Sequence, residues 1–371
     1  MSFGIDFKNL SENAEQVEIN RVVKNKLVTS KPNEDVEIFT NILYGKDTSK
    51  YGKKVDTVME KIQTLASAAQ DGNAQAKAEI NAIRTVTIQQ PLEKRLAINS
   101  AMGQVTKVGM NEELRYEVYE LQGDKSRNQA SSGSFVFPTV KKRTGTMTTK
   151  TATGGIIVDY RELASGATDG MAMANEQVLT DIMNQMVLSH LTALRSGITA
   201  ATTLKNYAEG ITKTNVEDVR KKARRFGSSV SVMGDYSAIN KLGDLTSFSV
   251  VGAGTEFRFP DFVMEEIMKT GLIKNYKGSI VIEIPNTYNM IDLNVTGDFY
   301  APLLPTTDLW FLPQGKVSPL QIGLRAGLTS MTATDINLRA EVTRYDIEYG
   351  NYLVPEYVPF VGYIYDAALA E

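Results

Sequence analysis

Asp169-Gly-Met-Ala-Met-Ala-Asn-Glu-Gln-Val-Leu-Thr-Asp-Ile-Met-Asn-Gln-Met-Val-Leu-Ser-His-Leu-Thr-Ala-Leu-Arg-Ser196 is the stretch around which the rest of the chain organises. Met173, Val178, Ile182, Met186, Val187, Leu188, Leu191 and Leu194 trace a mainly apolar path at helical spacing. Asp169 is placed to cap the start and Gly197 to end it. About 28 residues rising 1.5 Å each give a rod of roughly 40 Å. Such a rod exceeds an ordinary globular helix, so other parts are expected to lie on it.

On its carboxyl side, helices and strands alternate. Residues 215–226 predict a basic helix, 229–233 a short strand and 236–242 a second helix. Loop residues through Gly252-Ala-Gly254 lead to a helix opened by Pro260 and closed by Gly271. Residues 279–284 read as a buried strand ended by Pro285-Asn286. Pro302, Pro305 and Pro313 punctuate the next stretch, so Leu309-Trp-Phe-Leu312 is expected to be a short strand. Leu320, Ile322 and Leu324 alternate, as do Ile336, Leu338, Ala340 and Val342. Tyr345, Ile347 and Tyr349 resume one residue out of phase, which predicts a bulge near Thr343. The tail, 358–365, is aromatic and β-prone.

On the amino side the period is two from Leu114 through Tyr116 and Val118. A polar Gly/Ser-rich middle, Phe135-Val-Phe137, a Thr-rich stretch and Ile156-Ile-Val158 complete a long hairpin, too poor in apolar residues to form its own core. Residues 1–105 are mostly helical. Their runs hold Val36, Ile38, Phe39, Ile42 and Leu43; then Val55, Val58, Met59, Ile62 and Leu65; then Ala76, Ile80 and Ile83. Pro91, in a first turn, opens a fourth with Leu92, Leu96, Ile98 and Met102. Narrow stripes on polar helices need a partner surface.

The composition removes many chemistries. With 42% hydrophobic residues, the 371-residue chain can bury a substantial core. It has no Cys, which excludes disulfides, thiolate metal sites and cysteine nucleophiles, and one His, His190, which excludes a histidine cage within one chain. His190 is expected to be a packed or surface histidine of the long helix and not a functional group. Gly45 to Gly52-Lys53 has the wrong spacing for a phosphate-binding loop, and no nucleophile elbow occurs. No secretory signal and no membrane span is read, and no cofactor or metal is expected. The chain is expected to be soluble and not an enzyme.

Charges nearly cancel, 40 Lys+Arg against 43 Asp+Glu, so a surface built wholly for nucleic acid is excluded while local patches are not. Six basic residues and no acid lie from Lys125 to Lys150, whereas from Asp335 to Glu371 the net is −5. A basic hairpin and an acidic terminal region invite pairing between copies. The contact candidates are Lys125, Arg127, Phe135, Phe137, Lys141, Lys142 and Arg143 on one side and Asp346, Glu348 and Glu356 on the other. A second basic cluster, Arg220-Lys-Lys222 with Arg224-Arg225, could contact phosphates. Glu217 and Asp218 ahead of it favour a plain amphipathic surface helix, with Val216, Val219 and Ala223 inward.

This order of parts resembles the major capsid protein of tailed bacteriophages, the Hong Kong 97-type shell fold. Two stretches sharpen it: Gly278-Ser-Ile-Val-Ile-Glu-Ile-Pro-Asn286 resembles the axial-domain strand with its Pro-containing turn, and Asp308-Leu-Trp-Phe-Leu-Pro313 the return strand. The resemblance implies an α+β fold with a helical N-terminal arm or scaffold-like region (1–105), an extended β-hairpin loop (106–160) and a peripheral domain with a spine helix (161–210). An axial domain (211–317) and a β-rich return (318–371) complete it. It implies a structural subunit that forms pentamers and hexamers, then an icosahedral shell around double-stranded DNA held without sequence-specific contacts. Portal, scaffold or decoration proteins would be its partners, the virion its place and the host cytoplasm its site of assembly. The alternatives are an encapsulin-like compartment loading a cargo enzyme, a tail or sheath component, and an oligomeric enzyme with a carboxylate pair and a deep pocket near Asp235 or Glu283.

Overall fold

A computed structural model describes residues 34–119, 141–158, 160–201, 205–227, 229–245, 275–293, 300–314, 318–325, 327–335 and 340–370. The expected helix at 260–270, the Gly252-Ala-Gly254 loop, Ile336 and Leu338 lie outside them. The architecture is α+β, as expected.

The arm begins with α1 (Glu34–Leu43), α2 (Lys54–Gln70), α3 (Ala74–Arg95) and α4 (Ala97–Met102). The partner surface their stripes require comes from within the chain. Phe39, Ile62, Leu65 and Ile83 close on one another and on Tyr160, Leu163 and Met171. A new helix was expected to open at Pro91, yet α3 runs through it. Proline has no N–H to give the Thr87 carbonyl one turn back; the Tyr44 hydroxyl donates to that oxygen instead, at 3.3 Å. Burial, and then the charge of Glu176, push the Tyr44 hydroxyl up to about 12, so it keeps the proton it donates.

After α4 the chain extends as β1 (Gln104–Val108). Between them, a Cβ on Gly103 would lie 2.3 Å from the Leu320 carbonyl oxygen. Gly103→Ala should therefore cost about 1–3 kcal/mol as main chain is pushed aside. Urea unfolding measures this, and an unchanged midpoint would show that the Leu320 backbone yields freely.

Next come β2 (Arg115–Tyr119), β3 (Lys142–Thr146), β4 (Thr149–Val158), α5 (Tyr160–Ala164) and the rod, α6 (Asp169–Ala200). Both expected ends of the rod move. Thr168 occupies the N-cap position without a side-chain bond, so Asp169 lies in the first turn, where its charge suits the helix dipole. Gly197 does not stop the helix. A Cβ there would stand 2.1 Å from Leu353 Cδ2, so this glycine lets Leu353 seat against the rod.

The remaining elements are β5 (Asn206–Glu209), α7 (Lys213–Phe226), β6 (Ser229–Gly234), α8 (Tyr236–Asp244), β7 (Asn275–Tyr276) and β8 (Ser279–Glu283). After these come β9 (Tyr288–Leu293), β10 (Tyr300–Pro302), β11 (Asp308–Gln314), β12 (Leu320–Arg325), β13 (Thr329–Asp335), β14 (Ala340–Leu353) and β15 (Gly362–Tyr365). Of the two large sheets, the first has the order β1-β12-β14-β13 with β4 also on β14 and the second the order β5-β15-β11-β6-β8-β7; β9 pairs with β10 and β2 with β3 in two-stranded sheets.

α6 lies against both sheets. Val178, Ile182, Met186 and Leu194 share one core with Ile322, Tyr345 and Ile347 of the first and with Trp310, Leu312 and Tyr363 of the second. On β11 the period of two divides the work: Leu309 and Phe311 join Val216, Val219 and Ala223 of α7 and Ile239 of α8 in a separate core. β11 is longer than its prolines suggested. It spans seven residues and includes Pro313, because pairing with β15 ends at Phe311 and only β6 flanks the proline.

The bulge expected near Thr343 is absent. β14 keeps a constant register with β4 and β13 through that point. Thr343 is itself buried on the face of Tyr345, Ile347 and Tyr349, with its hydroxyl 3.3 Å from that of Thr332 directly opposite. A polar residue on the core face, not a phase shift, interrupts the apolar pattern.

Candidate inter-subunit surface

The base of the hairpin stands on an aromatic platform. β2 and β3 pair antiparallel from Arg115↔Thr146 to Tyr119↔Lys142. Val118 is buried with Val354 and Tyr357 and flanked by Tyr116, Phe226, Tyr352 and Phe360. The rings of Tyr116 and Tyr352 stack with centroids 3.7 Å apart, and those of Phe226 and Phe360 at 4.3 Å. The Tyr357 hydroxyl donates to the Tyr119 carbonyl. Tyr116 and Val118 at the hairpin base thus take their core from the 352–360 segment and the end of α7.

The charges assigned to contacts between copies have partners within the chain. Lys142 Nζ is 2.7 Å from Glu117, across the hairpin, and Arg143 is 3.1 Å from Glu356. Hydrogen bonds to these carboxylates hold both cations above their usual range. Asp346 takes Arg344 at 2.8 Å and the Thr153 hydroxyl at 2.7 Å. Glu348 pairs with Arg325. Lys141 is exposed; Lys125, Arg127, Phe135 and Phe137 lie outside the described residues. Sequence reading placed Arg143 and Glu356 on facing partners, and the structure brings them together in one subunit. Glu117 was missed, although the period of two in both arms puts it across from the Lys142 end.

His190 is fully buried between α6 and β14. Its Nδ1 lies 3.2 Å from Asn351 Nδ2, which can only donate, so the ring proton sits on Nε2. The imidazole meets Tyr349 edge-on at 5.7 Å. Burial, and then the nearby Lys150 ammonium, push its pKa down to about 3. It is a neutral packing residue, as the sequence suggested.

The carboxylates near 235 and 283 have structural partners. Asp235 caps α8, accepting the Ser237 N–H at 3.0 Å and the Asn286 amide at 2.8 Å. Burial, and then Asp235, raise the pKa of Glu283. The cavity beside Asp235, Asn286, Asp308 and Trp310 holds about 10 Å³, room for roughly one water. Among the described residues no cluster of three or more His, Asp or Glu is arranged to hold a metal ion. Among them, too, no helix is long and apolar enough to cross a membrane.

The profile of a family described as "SPbeta prophage-derived putative capsid protein YonB" matches residues 18–365. No curated protein matches. Among solved structures, one of Microbacterium phage Oxtober96 is similar over 73% of this chain and 90% of its own, with 10% identity and a TM-score of 0.47. The capsid structure of the cyanophage P-SCSP1u matches over 72% and 86%, with 9% identity and a TM-score of 0.42. The holo-SrpI encapsulin complex from Synechococcus elongatus PCC 7942 matches over 73% and 86%, with 10% identity and a TM-score of 0.42.

Proposed function

The chain belongs to the family described as SPbeta prophage-derived putative capsid protein YonB, and on that premise we propose that it is a major capsid protein. It is a structural subunit that self-assembles through pentamers and hexamers into an icosahedral bacteriophage shell. The family match carries this reading. The fold supports it in physical terms: one rod serves as a common floor for two sheets, and the base of a hairpin stands on an aromatic platform. In this reading the rest of the hairpin takes its contacts from a neighbour, and many weak contacts repeated over a closed lattice add up.

In this proposal the role is structural and not enzymatic. The shell encloses double-stranded DNA without reading its sequence, meets portal, scaffold or decoration proteins, and is assembled in the host cytoplasm as part of the virion. The hairpin lies over a neighbouring copy, with Lys141, Lys125 and Arg127 and the ring pair Phe135 and Phe137 as its contacts. Arg143 and Glu356 brace the hairpin base, and Asp346 and Glu348, paired with Arg344 and Arg325, brace their own sheet instead of facing a neighbour.

Negative-stain electron microscopy of the purified chain tests this. Closed shells or flat rings of five and six are expected. The pair Lys141→Glu with Lys142→Glu should leave the subunit folded and stop growth at isolated subunits or rings. A uniform dimer or tetramer that persists when neighbouring genes are co-expressed would sink the reading.

A further inference from the structure

The outer face of α7 carries a cationic stripe. Val216, Val219 and Ala223 turn inward, and Arg220, Lys221 and Arg224, at seven, eight and eleven residues from Lys213, fall on one side of the helix with Arg225 beside them. Lys213, Lys221, Arg224 and Arg225 are exposed. The acids that made this helix look balanced are already engaged. Asp218 is held by Lys222 at 2.7 Å, and Glu217, the acid on the stripe itself, pairs with Lys277 from another element.

Lys277 is the second observation. It sits at the tip of the β7–β8 hairpin with φ 46°, followed by Gly278 at φ 79°, and is the one non-glycine residue at positive φ among those described. A two-residue turn of this kind normally takes Asn or Asp ahead of Gly. The lysine held there does two things: its carbonyl accepts from Arg220 Nη1 at 3.0 Å, and its ammonium cancels Glu217. A strained backbone position thus masks the one acid on the stripe and leaves its other cations uncompensated.

The chemistry of the stripe selects its ligand. None of the large exposed hydrophobic side chains belongs to α7, so the face lacks the buried anchor a protein partner would need. Among the described residues it has no exposed aromatic ring on which a base could stack. Long exposed cations without either suit phosphate oxygens. We propose that the α7 face, completed by Lys277, binds the phosphate backbone of double-stranded DNA without sequence preference. The choice of DNA rests on the capsid reading above.

The test is fluorescence anisotropy of the full chain with two unrelated 30-base-pair duplexes across a sodium chloride series. The variant Lys221→Gln/Arg224→Gln/Arg225→Gln should lose about 100-fold or more in affinity near 0.1 M salt, with a log–log salt slope shallower by about three, equally on both duplexes. Lys46→Gln/Lys53→Gln/Lys205→Gln, the same charge change elsewhere, should bind as the parent does. Lys277→Asn suits its turn better than the parent residue, so it keeps the fold while removing a cation and freeing Glu217; it too should flatten the slope. Equal slopes for the parent and all three variants would overturn the proposal. So would tighter binding of a polyglutamate peptide than of DNA, which would assign the face to an acidic protein. Microscopy of the same preparations separates the two readings. Shells with an unchanged slope remove the phosphate face alone, whereas a lost slope without shells removes the capsid reading alone.

Discussion

Trp310→Ala should lower the unfolding free energy by about 3–5 kcal/mol. The indole is 1% exposed on the α6 side of β11. It lies directly between its register partners, Met233 on β6 and Tyr363 on β15. Its ring stacks on Tyr363 at 4.3 Å, and the Tyr363 hydroxyl donates to Asp308 at 2.9 Å. Truncation therefore opens a void where two neighbouring strands and the rod meet. Only about one water's volume is free beside it, so little slack exists for collapse. Guanidinium unfolding followed by far-ultraviolet circular dichroism measures the loss. A value under about 1 kcal/mol would mean that the second sheet is not seated on α6 through this residue.

Acid should destabilise the parent through His190, and His190→Gln should remove that sensitivity. Burial first, and the Lys150 ammonium second, hold the folded pKa at about 3 against an ordinary 6.5. The groups facing the ring are Lys150, Ser189, Tyr349 and Asn351, none of them an anion that would favour the imidazolium. Between those two pH values the unfolded chain binds a proton that the folded chain does not. Stability from this site is thus complete above pH 6.5 and falls as pH drops towards 3, by up to roughly 1.4 kcal/mol per unit. From pH 7 to pH 4 the parent should lose about 3 kcal/mol more than the variant. Unfolding at each pH gives both curves, and parallel curves would show that the ring is hydrated in the folded state.

The features legible in the sequence were those set by local periodicity. α6, α7 and β12 announce themselves because one face of each repeats at the helical or strand period. What escaped depended on residues far apart. Pro91 could not be read as a mid-helix residue, because the group that satisfies the Thr87 carbonyl is Tyr44, 43 residues away. Thr343 looked like a break because its partner hydroxyl, Thr332, is on another strand. The site shows the same division. The basic run and the acidic tail were visible as counts, yet Arg143 bonds Glu356 across 213 residues. Lys277 likewise meets Glu217 across 60 residues. Local charge arithmetic could not show which surplus survives folding, and on the face it set aside, on α7, Glu217 is cancelled by a lysine of another element.

The placement of β15 has a consequence for synthesis. This strand fills the slot between β5 and β11, pairing Tyr365 with Glu209 and with Asp308. A ribosome working at 5–20 residues per second needs on the order of ten seconds to pass from one end of that pairing to the other. Throughout that interval β5 has no link to the rest of the sheet through β15, and from the moment β11 is made its edge towards β15 stays open until β15 follows. A nascent chain is therefore without a finished second sheet until residue 365 has emerged. The last strand thus closes the second sheet, and until it arrives the unpaired edge of β11 is open to strands of other chains.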